Sequence, residues 1–373
     1  MIRHLYVHIP FCASRCDYCD FVSLTGQRDQ QTRYVEALLA ELERERELLA
    51  PDLETVYLGG GTPTLLEAEA LRRLLKGLPA ADELTVEANP ETVTPALAAA
   101  LVQAGVNRVS LGAQSFQPRL LELLGRRAGP DDVRRAFRLL REAGLDNISL
   151  DLLYGIPGQS RRDLNADLGE ALTLAPEHLS CYELEAKPGT RFAHRLGAEL
   201  AAQAEALEDH LERVVEHLTG SGYRWYEIAN FARVDGERDL RSEHNLGYWR
   251  GHDYLGIGIG AVSTVGDERR QNAPSLPRYL EALERKARPP CETETLDEAT
   301  KLRERLMLGL RLDEPVLIAE LEPVLDGDAL ARLSDLGLVR VEDGLMTLSV
   351  RGRMLGGAVS AELIVWDAEP VAV

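Results

Sequence analysis

Between His4 and Leu184 the chain alternates short apolar, β-branched runs with longer stretches of helical period. Strands are predicted at Leu5–Ile9, Thr55–Leu58, Leu84–Ala88, Arg108–Gly112, Ile148–Leu153 and His178–Leu184. Helices are predicted over Gln30–Leu49, Glu67–Leu75, Pro95–Ala104, Pro130–Ala143 and Arg162–Leu174, with a sixth around Ala202–Leu218. Apolar runs bounded by turns and separated by amphipathic helices argue for βα units on a parallel sheet. Six units fall short of the eight that close a barrel, so the expected fold is α/β, a partial six-unit barrel.

Past the sixth helix the pattern is less regular. Tyr223–Phe231 mixes aromatic and β-branched residues and predicts one further strand. A polar loop, Arg233–Ser242, leads to His244–Trp249 on a turn and to the Gly-rich run Leu255–Gly260. Prolines around Ala273–Pro277 and Arg288–Pro290 bracket a helix and mark a linker. From there Glu298–Leu310 and Asp328–Leu336 are helical by period, and Arg351–Leu363 reads as a third helix. Leu338–Leu348 reads as a hairpin around Asp343-Gly344, a strong two-residue turn signal. Helices followed by a small hairpin make a winged-helix-like α+β module, and the tail after Trp366 is expected to fray. The divisions expected are 1–235, 236–292 and 293–373.

Charge narrows the partners. The 373 residues carry a formal net charge of −19, which opposes binding to a phosphate backbone. Winged modules often bind DNA, but from Thr293 onward eight Lys and Arg face sixteen Asp and Glu. Packing or partner docking is therefore expected of the module, and nucleic acid is not an expected partner. No apolar run approaches the roughly 20 residues of a membrane span. Peripheral membrane contact through a local patch stays open. Met1-Ile-Arg-His leads directly into a predicted strand, so no signal peptide is read, and free cysteines imply a reducing cytoplasm.

The chemistry concentrates in Cys12-Ala-Ser-Arg-Cys16-Asp-Tyr-Cys19. Thiolates suit soft metal centres, and Cys-rich runs of this kind ligate iron–sulfur clusters. A zinc site would need four ligands, yet only the isolated Cys181 and Cys291 remain. The next residue on the spacing is Phe21, which cannot coordinate. A four-iron cluster held here would keep one iron open, and the amino and carboxylate groups of an amino acid could chelate it.

The other polar residues of note fall at the C-terminal ends of successive predicted strands, where barrel folds gather their chemistry. Gly59-Gly60-Gly61-Thr62 follows the second, Glu87 closes the third, Gln114 follows the fourth and Asp151 lies in the fifth. Such placement predicts one shared pocket. The glycines let backbone approach a ligand closely, or simply make a tight turn. Glu87 can accept hydrogen bonds from ribose hydroxyls or an ammonium. Gln114, Arg126 and Asp151 offer an amide, a cation and an anion. Further on, His244 offers an imidazole of the kind that ligates heme iron, and Tyr248 and Trp249 could stack on a macrocycle. The alternative for this trio is a buried histidine in an aromatic core.

The string Tyr6-Val-His-Ile-Pro-Phe-Cys12-x3-Cys16-x-Tyr-Cys19-Asp-Phe21 resembles the radical S-adenosylmethionine (SAM) superfamily. Within it the chain resembles the HemN/HemW group, which holds the oxygen-independent coproporphyrinogen III oxidase and a paralogous heme chaperone. The resemblance implies a [4Fe-4S] cluster on Cys12, Cys16 and Cys19 with exchangeable SAM on the open iron. It implies that Tyr6, Tyr18, Gly60, Gly61, Thr62, Glu87, Gln114, Arg126 and Asp151 line the SAM region, some of them holding a second SAM in the oxidase. His244-Asn-Leu-Gly-Tyr-Trp249 is similar to a heme-associated motif of the group. There are departures: Ala128, Ile259 and Val262 stand where the family often has His or Cys. Two features favour the chaperone. Phe21 occupies the place of the oxidase's fourth cysteine, and only eleven residues precede Cys12, where the oxidase has a longer segment. The expected function is to bind heme and pass it to an acceptor, a respiratory protein being one candidate, with an electron donor serving the cluster. The alternative is the oxidase reaction in heme biosynthesis.

Overall fold

The computed structural model describes residues 1–366 apart from 186, 189, 203 and 237. The expectation for the tail lies outside the described residues. Six strands arrive in chain order: β1 (His4–Ile9), β2 (Leu53–Gly60), β3 (Ala81–Ala88), β4 (Arg108–Gln114), β5 (Ile148–Tyr154) and β6 (His178–Glu183). Each pairs in parallel with the next. Helices such as Gln31–Glu45, Pro130–Glu142 and Arg161–Leu174 make the crossovers. The strands are apolar on the helix-facing side because they are covered there. Leu5, Val7 and Ile9 of β1 are fully enclosed.

Among the described residues the sheet has twelve strands, against the six βα strands and one further strand predicted. Tyr223–Phe231, expected as one strand, is a hairpin of β7 (Tyr223–Glu227) and β8 (Asn230–Arg233). The reversal has a local cause. The Glu227 carboxylate accepts from Ala229 N at 2.9 Å and Asn230 Nδ2 at 2.6 Å, which stabilises the turn between them. β8 lies antiparallel on β6. At the other edge β9 (Tyr254–Ile257) pairs in parallel with β1. Antiparallel β10 (Val262–Val265), β11 (Glu268–Asn272) and β12 (Cys291–Thr295) follow it. The order runs β12-β11-β10-β9-β1-β2-β3-β4-β5-β6-β8-β7, and hydrogen bonding among the described residues does not close it into a barrel. Cys291, just past the prolines expected to mark a linker, begins an edge strand. His244–Trp249, expected on a turn, belongs to the helix Glu243–Trp249, whose first turn is capped by Ser242.

Two polar side chains on the helix Gln31–Glu45 tie the added strands to β1. Tyr34 donates to His8 O at 2.9 Å and accepts from Ile259 N at 3.0 Å. Buried Glu41 accepts from Gly258 N at 2.8 Å, Asn272 Nδ2 at 2.7 Å and Tyr279 OH at 2.5 Å. Burial pushes the Glu41 carboxyl up, and those donors pull it back down.

The C-terminal part has its own three-stranded sheet, β13 (Val316–Leu317), β15 (Leu345–Leu348) and β14 (Val339–Glu342), in that order. Helices Glu298–Gly309, Gly327–Asp335 and Gly356–Leu363 enclose with it a separate apolar cluster that includes Leu306, Leu333, Met346 and Leu363. Asp343 and Gly344 have φ of 52° and 77°, the left-handed pair that a tight hairpin needs. The predicted helix over 351–363 is broken at Leu355 into two short ones. An α/β partial barrel with a winged-helix-like α+β module is thus the observed fold class. The module meets the main sheet through Arg353, which lies 3.8 Å over the Trp225 ring and donates to Trp225 O at 2.7 Å. No helix among the described residues is long and apolar enough to cross a membrane.

Replacing Glu41 with Ala strands three buried donors. The expected cost is about 3 kcal/mol or more, read as a drop in the urea unfolding midpoint. An unchanged midpoint would show that the strands beyond β1 do not depend on this carboxylate.

Candidate functional site

β1 ends at Ile9, and the chain then makes a closed loop. Cys12 N donates to Leu24 O at 2.9 Å and Leu24 N to Pro10 O at 2.7 Å, so the two ends of the loop are stitched together. Its middle is tied elsewhere. Asp17 O accepts from Phe192 N at 2.9 Å, and the Asp17 carboxylate pairs with Arg195 at 2.8 Å. Cys12, Cys16 and Cys19 are half-buried and free. Burial pushes the Cys12 thiol up and the Cys19 thiol to about 11, so a soft metal must displace protons to bind there. Two groups prepare the loop for negative sulfur. Arg126 Nη1 lies 3.8 Å from Cys16 Sγ, and Thr62 Oγ1 lies 3.7 Å from Cys12 Sγ. Phe21 is 62% exposed. Cys181 is buried on β6 and Cys291 sits on the edge strand β12, away from the loop. The donor set fits a cluster held at three corners.

The loop roofs a cavity of about 460 Å³ at the C-terminal ends of the parallel strands. All three cysteines line it, together with Tyr18, Gly60, Gly61, Thr62, Glu87, Gln114, Arg126 and Asp151. Gly60 has φ +108°, and a Cβ there would lie 2.4 Å from the His8 ring. The glycine is needed as much for packing against β1 as for any ligand. Gly60 N donates to Glu87 Oε2 at 3.1 Å and Tyr57 OH to Glu87 Oε1 at 2.8 Å. Burial, helped by nearby Asp151, pushes Glu87 up to about 7 despite these donors. Asp151 is also raised by burial, while Ser110 Oγ, 3.0 Å from each carboxylate oxygen, pulls it down. Gln114 adopts φ 65° just past a bulge in the β4–β5 pairing. Such a conformation costs about 1–2 kcal/mol outside glycine, and it turns the residue at the cavity edge. Arg126 is fixed by donation to Asn89 Oδ1 at 2.9 Å and Gly112 O at 2.8 Å. Three thiols, a neutral amide, a fixed cation and two carboxyls of perturbed acidity thus converge on one cavity.

The profile of the Radical SAM superfamily matches residues 6–171. Among solved structures, the Escherichia coli coproporphyrinogen III oxidase HemN, a radical SAM enzyme, superposes with a TM-score of 0.80 at 26% identity, covering 96% of this chain and 89% of that one. The heme chaperone HemW of Bacillus subtilis (strain 168) is 35% identical over 376 residues, covering 96% of this chain and 98% of its own. The HemW of Mycobacterium tuberculosis (strain H37Rv) is 37% identical over 372 residues, covering 96% and 94%. The chain belongs to the HemW family. The HemW of Escherichia coli (strain K12) is 41% identical over 270 residues, 70% of each chain.

Two residues singled out for this HemW-family chain do not line the cavity. Tyr6 lies behind it on β1, its ring 6.2 Å from that of Tyr57 and its hydroxyl 3.1 Å from His8 Nδ1. His244 is buried next to it. Its Nδ1 is 2.7 Å from Thr55 Oγ1, its Nε2 is 3.0 Å from Tyr248 OH, and its ring stacks 4.9 Å from Tyr57. Burial holds its pKa down at about 3, so the ring is neutral. In this conformation a heme iron reaches Nε2 only if Tyr248 gives up its bond. The expected stacking platform is not presented either. Tyr248 packs edge-on between His244 and Tyr254, and Arg311 lies 4.3 Å over the Trp249 ring. The motif reaches the cavity through its asparagine instead, since Asn245 lines the wall.

Sequence reading passed over Tyr57, Arg108, Ser110, Asn245 and Tyr182, all of which line the cavity. Arg108 carried a signal: a charged residue that opens an otherwise apolar buried strand. It is 2% exposed, and its Nε has no hydrogen-bond partner among the described residues.

Glu87 makes a pH test. Its carboxyl is raised from an ordinary 4.5 to about 7, so between those values the folded chain keeps a proton that the unfolded chain has lost. Stability therefore falls as pH rises through that window. The slope is at most about 1.4 kcal/mol per pH unit and is reduced by water in the cavity. Glu87→Gln is expected to gain stability over the wild type at pH 8 and little at pH 4.5 in urea titrations. Parallel pH profiles for the two proteins would contradict the assignment.

Proposed function

We propose that this chain binds heme and hands it to an acceptor protein, with Cys12, Cys16 and Cys19 holding a [4Fe-4S] cluster whose open iron takes SAM. The observation that carries the reading is the end-to-end similarity to proteins named heme chaperones, 35% and 37% identical over 96% of this chain. When bound, the cluster supplies an electron to the SAM sulfonium. The residues around it have separate tasks. The loop stitched at Leu24 and Asp17 fixes the three sulfurs, and Arg126 balances their charge. Thr62, Gly60 and Gly61 form the wall next to Cys12, where a methionine amino group would lie. Glu87 and Asp151 accept hydrogen bonds from ammonium or ribose groups, and Gln114 and Arg126 meet a carboxylate. His244 belongs to the heme site in this reading, and its use as a ligand requires the Tyr248 bond to open. The divisions 1–235, 236–292 and 293–373 serve cluster and SAM, heme motif, and partner docking. The five free cysteines fit a reducing cytoplasm, with an electron donor and an acceptor as partners.

Changing Cys12, Cys16 and Cys19 to Ser together is expected to abolish the four-iron absorption after anaerobic reconstitution. Retention of that chromophore would place the cluster elsewhere. In a hemin titration, His244→Ala is expected to lose the imidazole-type Soret band and at least about tenfold in affinity. An unchanged band and affinity would leave His244 as a core residue. The close superposition on HemN favours a second reading, oxidation of coproporphyrinogen III. Porphyrin product formed anaerobically with SAM and reductant would establish that reading over the chaperone.

A further inference from the structure

A second group of metal-ligating side chains lies at the opposite, N-terminal end of the parallel strands. His4 opens β1, Glu54 lies near the start of β2, and His252 precedes β9. His4 Nε2 is 3.1 Å from His252 Nδ1 and 3.4 Å from Glu54 Oε2, and the three ligand atoms all fall within 4.8 Å of one another. We infer that His4 Nε2, His252 Nδ1 and Glu54 Oε2 form a binding site for a zinc-type divalent transition ion.

Four observations carry this. Zinc takes imidazole nitrogen and carboxylate oxygen at about 2.0–2.2 Å in tetrahedral array, which places neighbouring ligand atoms about 3.3–3.6 Å apart. Two of the observed spacings, 3.1 and 3.4 Å, lie within a few tenths of an ångström of that range, and all three fall within 4.8 Å. The donor set of two imidazoles and one carboxylate selects such ions over magnesium or calcium, which prefer all-oxygen ligands. The far nitrogen of His4 is already oriented, since Nδ1 lies 3.0 Å from Thr55 Oγ1, the outer-shell bond that ligating histidines usually make. The site is also built into the fold. His4 is 4% exposed and stacks 5.3 Å from His252, and a Cβ on Gly247 would come within 2.9 Å of its ring. His252 is exposed, which leaves an open side for water as a fourth ligand.

The charges facing the site are mixed. Arg3 pairs with the other Glu54 oxygen at 2.6 Å and with Asp52, while Arg250 is taken up by Glu314. Arg305 and Asp253 also face His252, with opposite signs. Metal on His4 Nε2 leaves that ring's proton on Nδ1, directed at Thr55. The threonine hydroxyl must then donate to His244 Nδ1, so the His244 proton lies on Nε2 toward Tyr248. Occupancy at the rim thereby fixes the proton order of the ring behind the cavity.

The inference is independent of heme and SAM. The test is titration of tag-free, full-length protein with Co²⁺ and then Zn²⁺, both cluster-loaded and with Cys12, Cys16 and Cys19 changed to Ser. One equivalent is expected to give the visible band of low-coordinate, thiolate-free cobalt, and zinc to displace it. His4→Gln is expected to remove the band. His252→Ala and Glu54→Gln, at solvent-facing positions that leave the fold intact, are expected to weaken it at least about tenfold. Absence of the band in the parent protein, or its persistence undiminished in His252→Ala, would overturn the site.

Discussion

The parallel pairing of β1 on both of its sides is the constraint from which the rest follows. β2 lies along one side and β9 along the other, so the strand can neither tilt nor slip. Its alternation then sorts the residues. Leu5, Val7 and Ile9 face the helix Gln31–Glu45 and are sealed in, while His4, Tyr6 and His8 face the barrel interior. A one-residue slip would exchange those faces and drive three polar rings into an apolar layer. The fixed strand then presents the cysteine loop at its C-terminal end.

The interior face of β1 builds a layer of rings and hydroxyls under the cavity. Tyr6, Tyr57 and His244 stack on one another, His8 meets Tyr6 at 3.1 Å, and Tyr57 passes a hydrogen bond up to Glu87. The layer excludes bulk water from below. That exclusion is the physical reason why burial, rather than any single neighbour, is the largest influence on Glu87, Asp151 and His244. A cationic ligand above the layer would meet carboxyls that gain from being charged only once the ligand is present.

The parallel half of the fold was legible because its signal is simple. β-branched runs at β1 to β6, separated by amphipathic helices, have few other solutions. Most of the residues singled out beforehand line the cavity, because strand ends in such a sheet converge. What escaped has local causes. The turn at Ile228-Ala229 depends on Glu227 bonding its own neighbours, which no periodicity reports. Glu268-Arg-Arg-Gln-Asn272 has no apolar alternation and becomes a strand only because β10 and β12 flank it. Gln114 owes its left-handed backbone to a bulge, and His244 is enclosed by Thr55, distant in the chain, and by Tyr248, which turns to it rather than to a ligand. A motif string identifies residues that belong together. It does not say which of them faces a ligand.

That distinction bears on the Glu243–Trp249 helix. Its side chains divide the work by direction: Asn245 enters the cavity, His244 enters the ring layer, and Gly247 makes room for His4. Trp249 packs against Leu240, Leu246 and Leu312 beneath Arg311, which also pairs with Glu227. The helix therefore touches the cavity, the layer beneath it, the N-terminal rim and, through Arg311, the winged module. A displacement of this one element would alter all four at once. Its short length, seven residues, gives it little stability of its own, and its first N–H groups are held by Ser242 and by the Glu83 carboxylate of β3, so its position is set by its contacts rather than by helix propensity.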